Sequence, residues 1–134
     1  MEAYSYRCVV TECDAPQALE AAHIRPYGDL GTNDIYNGLL LRADIHTLFD
    51  RNMLAVDPQT REVRLAPPLS MTQYRTFSGR RLPDPKEEWQ RPSQDLLNER
   101  WEEFQKAWKT TLALSCSWPL AVVAAVVHDM QASA

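Results

Sequence analysis

The sequence is poor in lysine, in cysteine and in net positive charge. Three lysines stand against eleven arginines, the formal net charge is -4 and the pI is about 5.3. That balance excludes a protein that coats nucleic acid by bulk charge. The three cysteines, Cys8, Cys13 and Cys116, are odd in number, and MEAYSYRC carries neither the basic nor the apolar part of a secretory leader. A reducing, cytoplasmic setting is the expectation, not a disulfide scaffold. Internal repeats and low-complexity runs are absent. Only one long uncharged run exists, the eighteen residues from Thr110 to Val127, and it contains Cys116 and Pro119. A membrane span asks for about twenty predominantly apolar residues, so a packed or loosely attached apolar tail is expected, not a membrane anchor.

What is there fits one globular domain of 134 residues, 45% apolar and 24% charged. Charge is unevenly spread. Five arginines (Arg61, Arg64, Arg75, Arg80, Arg81) face a single acid, Glu62, between Arg61 and Arg81. The planar guanidinium fork suits phosphate, so this run is a candidate DNA track, with a solvated face as the alternative.

Along the chain, Tyr6 to Thr11 reads as a short strand and Glu12 to Pro16 as a turn. Leu19 to Ile24 is a second short apolar run, stopped by Pro26. Tyr27 to Asn37, with Gly28, Gly31, Asn33 and Asp34, is a loop. Gly38 to Arg42 (GLLLR) is a buried strand. Asp44 is a plausible N-cap for the helix that follows, whose apolar face is Ile45, Leu48 and Phe49. Met53 to Asp57 and Glu62 to Leu65 form a hairpin around Pro58–Arg61. Leu69 to Phe77 is read as a short helix and the proline-rich Leu82 to Pro92 as a linker. Ser93 to Trp108 is an amphipathic helix capped by Ser93, with Leu96, Leu97, Trp101, Phe104 and Trp108 on one side.

Chemistry concentrates between Glu20 and Asp50. Strand, loop, strand and helix make a ββα unit carrying His23 and His46, two of the three histidines. His46 and Asp50 lie four apart on one helical face, a spacing that brings both side chains to one divalent ion. A histidine outside that shell, His23, can take a proton from water. One ion and one general base suffice for phosphodiester hydrolysis. Asn37 both donates and accepts, so it can fix the shape of the intervening loop. Arg25 and Arg42 are placed near the scissile phosphate, again with a solvated arginine as the alternative. Cys8 reads as a buried apolar residue.

The stretch EAAHIRPY followed by NGLLLRADIHTLFD resembles the HNH endonucleases, the ββα-metal nucleases, in the branch found in some bacterial restriction-type nucleases. His23 matches the first His, Asn37 the Asn and His46 the second His; Asp50 falls where such nucleases place a further ligand. The resemblance is strong from about Tyr6 to Asp57. It implies that His23 is the base, that Asn37 orients the loop and that His46 and Asp50 bind the metal. It also implies that the leaving group is the 3′ oxygen. Many members carry a metal-binding Asp or His just before the base; here that residue is Ala22, with Glu20 or Asp44 as helpers to the shell. Some relatives have two CxxC knuckles. Here Cys8 and Cys13 have four residues between them and Cys116 is remote, so no structural zinc is expected.

The expected fold is therefore α+β: a ββα-metal (HNH) nuclease core with a following β-hairpin and C-terminal helices. Residues 1–83 would form the core and hairpin, 84–109 a linker and helix packing on the core, and 110–134 an apolar tail. The expected function is hydrolysis of DNA phosphodiester bonds with one divalent ion, Mg2+ first, with Mn2+, Ni2+ or Zn2+ as alternatives. No target-recognition segment is evident, so specificity would come from a homodimer or a separate specificity subunit, or be absent. Two other readings are an HNH-like module that binds DNA or a partner without cutting, favoured by Ala22, and an effector that the apolar tail brings to a membrane or an oligomer interface.

Overall fold

The computed structural model describes residues 1–26 and 34–113. Most of the glycine-bearing loop after Pro26, the apolar tail beyond residue 113, Cys116 and His128 lie outside the described residues.

Strand β1 (Leu19–His23) pairs antiparallel with β2 (Gly38–Arg42), from Leu19 opposite Arg42 to His23 opposite Gly38. Leu39, Leu40 and Leu41 are all buried. Successive side chains of a strand point to opposite faces, so both faces of β2 are covered. Helix α1 (Ala43–Asp50) follows β2 without a loop and packs on β1 and β2. It turns Ile45, Leu48 and Phe49 inward.

The end of α1 is closed by local geometry. Met53 N–H donates to the Leu48 carbonyl at 2.9 Å and Asn52 N–H to the Phe49 carbonyl at 3.2 Å. Asn52 sits at φ 56°. This is the paired-bond cap that requires a left-handed residue, for which asparagine is second to glycine. It fixes the last turn of α1, where Asp50 lies.

Strands β3 (Leu54–Val56) and β4 (Val63–Leu65) form the expected hairpin. Its loop is held by Asp57 Oδ1, which accepts from Gln59 N–H at 2.9 Å. Gly79, at φ 81°, then turns the chain so that residues 79–81 run along β4. Helix α2 (Gln94–Ala113) packs on β3 and buries Leu96, Leu97 and Phe104. Each such side chain removed from water contributes about 1.5–3 kcal/mol. Trp101 and Trp108 lean on the same core, and Trp101 stacks on Phe104. Among the described residues no helix is long and apolar enough to cross a membrane.

Three local expectations change. Tyr6–Thr11 is a set of turns, not a strand. Ser5, Tyr6 and Glu12 have positive φ, and Cys8 N–H closes back on the Cys13 carbonyl at 2.9 Å. The β-branched composition reflected burial of Cys8, Val9 and Val10, not extension. Residues 69–77 form two short 3-10 turns, Pro67–Leu69 and Gln73–Phe77, because Thr72 is extended and its hydroxyl accepts from Tyr74 N–H at 3.2 Å. Asp44 is not the N-cap of α1: Arg42 holds that position and Asp44 lies in the first turn.

Candidate active site

The path from β1 through β2 to α1 sets two groups of side chains, and arginines make a third. The first stands at the end of β1. His23, half-buried, lines a cavity of about 310 Å³ with Tyr4, Ala21, Asp34 and Asn37. Asn37 is buried and grips the chain just beyond His23. Its Oδ1 accepts from Arg25 N–H at 2.8 Å and its Nδ2 donates to the Arg25 carbonyl at 3.1 Å. Ile24 N–H donates to the Asn37 carbonyl at 2.9 Å. The segment carrying His23 is thus tied to the start of β2 by three bonds.

The second group lies on α1. His46 Nε2 stands 3.1 Å from Asp50 Oδ2. His46 Nδ1 stands 3.0 Å from Glu20 Oε1, across from β1. Asp50 Oδ1 is 3.7 Å from Arg100 Nη2 of α2. Arg100 is only 8% exposed, donates to the Phe49 carbonyl at 2.6 Å and lies 4.5 Å from the Phe49 ring centroid. Neither His46 nor Asp50 lines the cavity beside His23. His23 and the His46–Asp50 pair are carried by one ββα unit, His23 at the end of β1 and the pair on α1. Ala22, in the position before His23, is buried and offers no donor atom.

The third group is made of arginines. Arg25 is paired with Glu99 of α2, its Nε donating to Oε2 at 3.0 Å and its Nη2 to Oε1. Arg42 forks onto Asp44 at 2.7 and 2.9 Å. Tyr74 O–H donates to the same carboxylate at 2.9 Å. The Arg42 hydrogen bond, joined by that of Tyr74 and opposed by partial burial, holds the Asp44 carboxyl below its ordinary value. Asp44 is thus committed to Arg42 and Tyr74, while Glu20 meets His46. Of the Arg61–Arg81 run, Arg64 pairs with Glu62, and Arg80 lies over the Phe77 ring with a bond to the Val10 carbonyl. Arg75 and Arg81 are exposed.

Residues 8–57 match the family model described as HNH endonuclease. This segment belongs to that family. It holds β1, β2, α1 and β3, and with them Glu20, His23, Asn37, His46 and Asp50; Glu99 and Arg100 lie outside it. No curated protein matches the chain.

HNH nucleases generally use a divalent metal. The His46–Asp50 pair fits one. An octahedral ion with bonds near 2.1 Å sets adjacent ligands about 3 Å apart, and these two atoms are 3.1 Å apart. Imidazole with carboxylate suits Mn2+, Ni2+ and Zn2+, and the carboxylate alone suits Mg2+. Among the described residues no three His, Cys, Asp or Glu side chains converge on one point. Two protein ligands would leave the remaining positions of such an ion to water and phosphate.

One residue beside the candidate pair escaped the sequence, and another was only partly read. Arg100 sits among Leu96, Leu97 and Phe104 at helical spacing, and a charge on an apolar face was the available signal. Glu20 was legible only as a helper; its partner, His46, is a tertiary contact.

Proposed function

We propose that the chain is a divalent-metal-dependent endonuclease that hydrolyses DNA phosphodiester bonds. The observation that carries the reading is the His46–Asp50 pair, 3.1 Å apart on one helical face within the HNH segment. His46 and Asp50 would hold the ion. When bound, the ion supplies charge stabilisation at the phosphoryl and leaving oxygens. His23 stands apart from those ligands and acts as the general base, taking a proton from the attacking water. Water oxygen bonds to phosphorus as the P–O3′ bond breaks, and the electron pair leaves with the 3′ oxygen. Asn37 holds the His23 segment in register through the Arg25 backbone. Arg25 and Arg42 are the proposed phosphate contacts, each exchanging a carboxylate partner for the substrate.

A second reading is a DNA- or partner-binding module without catalysis. It is favoured by buried Ala22, which removes one ligand from the shell, and by the intramolecular pairing of both arginines. Incubation of the full chain with supercoiled plasmid in Mg2+, Mn2+ or Ni2+ decides between them. Nicking that EDTA abolishes, leaving 5′-phosphate and 3′-hydroxyl ends, supports the nuclease. Retarded migration of the plasmid without nicking in any of the three ions supports the binding module.

A further inference from the structure

We propose that Arg80, with Arg42 across the Phe77 ring, forms a phosphate subsite that takes the DNA backbone beyond the scissile bond. The inference rests on the reading of the chain as a protein that binds DNA, and it does not require that the chain cuts.

Arg80 carries a charge that is held in place but not neutralised. Its Nη1 donates to the Val10 carbonyl at 3.3 Å, and its guanidinium carbon stands 5.1 Å from the centroid of the Phe77 ring. Both partners are uncharged. Among the described residues no carboxylate stands within ion-pair distance of Arg80, whereas Arg25, Arg42, Arg64, Arg91 and Arg100 each have one. Arg80 is also exposed, so its charge faces water with the side chain already placed. A planar guanidinium fork matches the paired oxygens of a phosphate. A side chain that is already held loses less freedom on binding.

The same ring joins Arg80 to α1. The Arg42 guanidinium carbon is 5.9 Å from the Phe77 centroid. The two guanidinium carbons therefore lie within about 11 Å of each other, a span of about three phosphates of one strand at about 3.4 Å of duplex axis each. Arg42 is the N-cap of α1, one helical turn before His46. Tyr74 fastens the Gln73–Phe77 turn to this place, its hydroxyl donating to Asp44 at 2.9 Å. His46, Arg42 and Arg80 thus follow one another from the candidate metal pair, over the start of α1, to the Phe77 ring. The two arginines meet DNA differently. Arg42 is forked onto Asp44 at 2.7 and 2.9 Å, so a phosphate there must displace a carboxylate. Arg80 has no carboxylate to displace.

The test is binding of the full chain to a fluorescein-labelled DNA duplex in EDTA, read by anisotropy across a salt series. Arg80→Gln should weaken binding by about 5- to 10-fold near 0.1 M salt and reduce the salt slope by about one. Arg80→Lys keeps the charge, so it should restore the slope while recovering only part of the affinity, because an ammonium does not fork. Phe77→Leu keeps both charges and should weaken binding by about 2- to 5-fold with the slope unchanged. Lys106→Gln makes the same charge change on the exposed face of α2 and should leave the slope as it is. A wild-type slope in Arg80→Gln, or an equal fall in Lys106→Gln, overturns the subsite. So does an Arg80→Lys variant that melts earlier and stays at the reduced slope, since Arg80 would then only support the turn at Val10. Binding equal to wild type in Phe77→Leu overturns the part given to the ring. A wild type that binds no duplex at any salt overturns the subsite itself, while the nuclease reading is judged separately by plasmid nicking with metal.

Discussion

Asn37 satisfies both backbone polar groups of Arg25, accepting from its N–H at 2.8 Å and donating to its carbonyl at 3.1 Å. A side-chain amide, with a donor and an acceptor side by side, can do this from one residue. Replacement by Ala leaves a part-buried N–H and carbonyl unpaired, at a cost of about 1–3 kcal/mol. Asn37→Ala should lower the urea midpoint accordingly. Asn37→Asp, which accepts but cannot donate, should also lower it. Urea unfolding of the three proteins checks the order, and an Asn37→Ala midpoint equal to that of wild type would contradict it.

The Arg25–Glu99 pair sets up a competition. Two nitrogens of Arg25 are held by Glu99, so a DNA phosphate must displace that carboxylate. Glu99→Gln should therefore bind duplex DNA more tightly than wild type. Arg25→Ala should bind more weakly, with a salt slope smaller by about one. Fluorescence anisotropy across a salt series reads both effects.

Tyr4 carries a prediction at alkaline pH. Burial pushes its hydroxyl from 10.0 up to about 12, with Arg61 lowering it and Asp84 raising it. The folded value is raised, so the contribution to stability is complete below pH 10 and is lost as pH rises toward 12. The hydroxyl has no hydrogen-bond partner among the described residues. Tyr4→Phe should therefore be more stable than wild type by about 1 kcal/mol at neutral pH. Its lead should widen over the alkaline window. Thermal melts across that range check the sign.

Asn52 holds the end of α1 at φ 56°. Asn52→Gly should be close to neutral, whereas Asn52→Ala should cost about 1 kcal/mol, since a left-handed alanine is strained. Equal stability of the two variants would contradict the capping account.

The ββα unit was legible because its elements are local. A run of leucines after a loop, then Ile45, Leu48 and Phe49 at helical spacing, specifies strand and helix without any distant contact. The closeness of His46 and Asp50 was legible for the same reason, the two being one turn apart. What the sequence hid is tertiary. Tyr6–Thr11 has a strand's composition but is shaped by left-handed residues and by burial against β2. Asp44 looked like a cap until Arg42 and Tyr74 claimed its carboxylate. Arg100 is 50 positions from Asp50 by residue number, and only the packing of α2 brings the two to 3.7 Å.

The most direct test of the account separates the base from the metal. His23→Ala should bind Mn2+ with the affinity of the wild type, because His23 lies outside the His46–Asp50 pair, and yet fail to nick plasmid. His46→Ala should lose both. If His23→Ala, folded and metal-loaded, nicks at the wild-type rate, His23 is not the base and the assignment of roles falls.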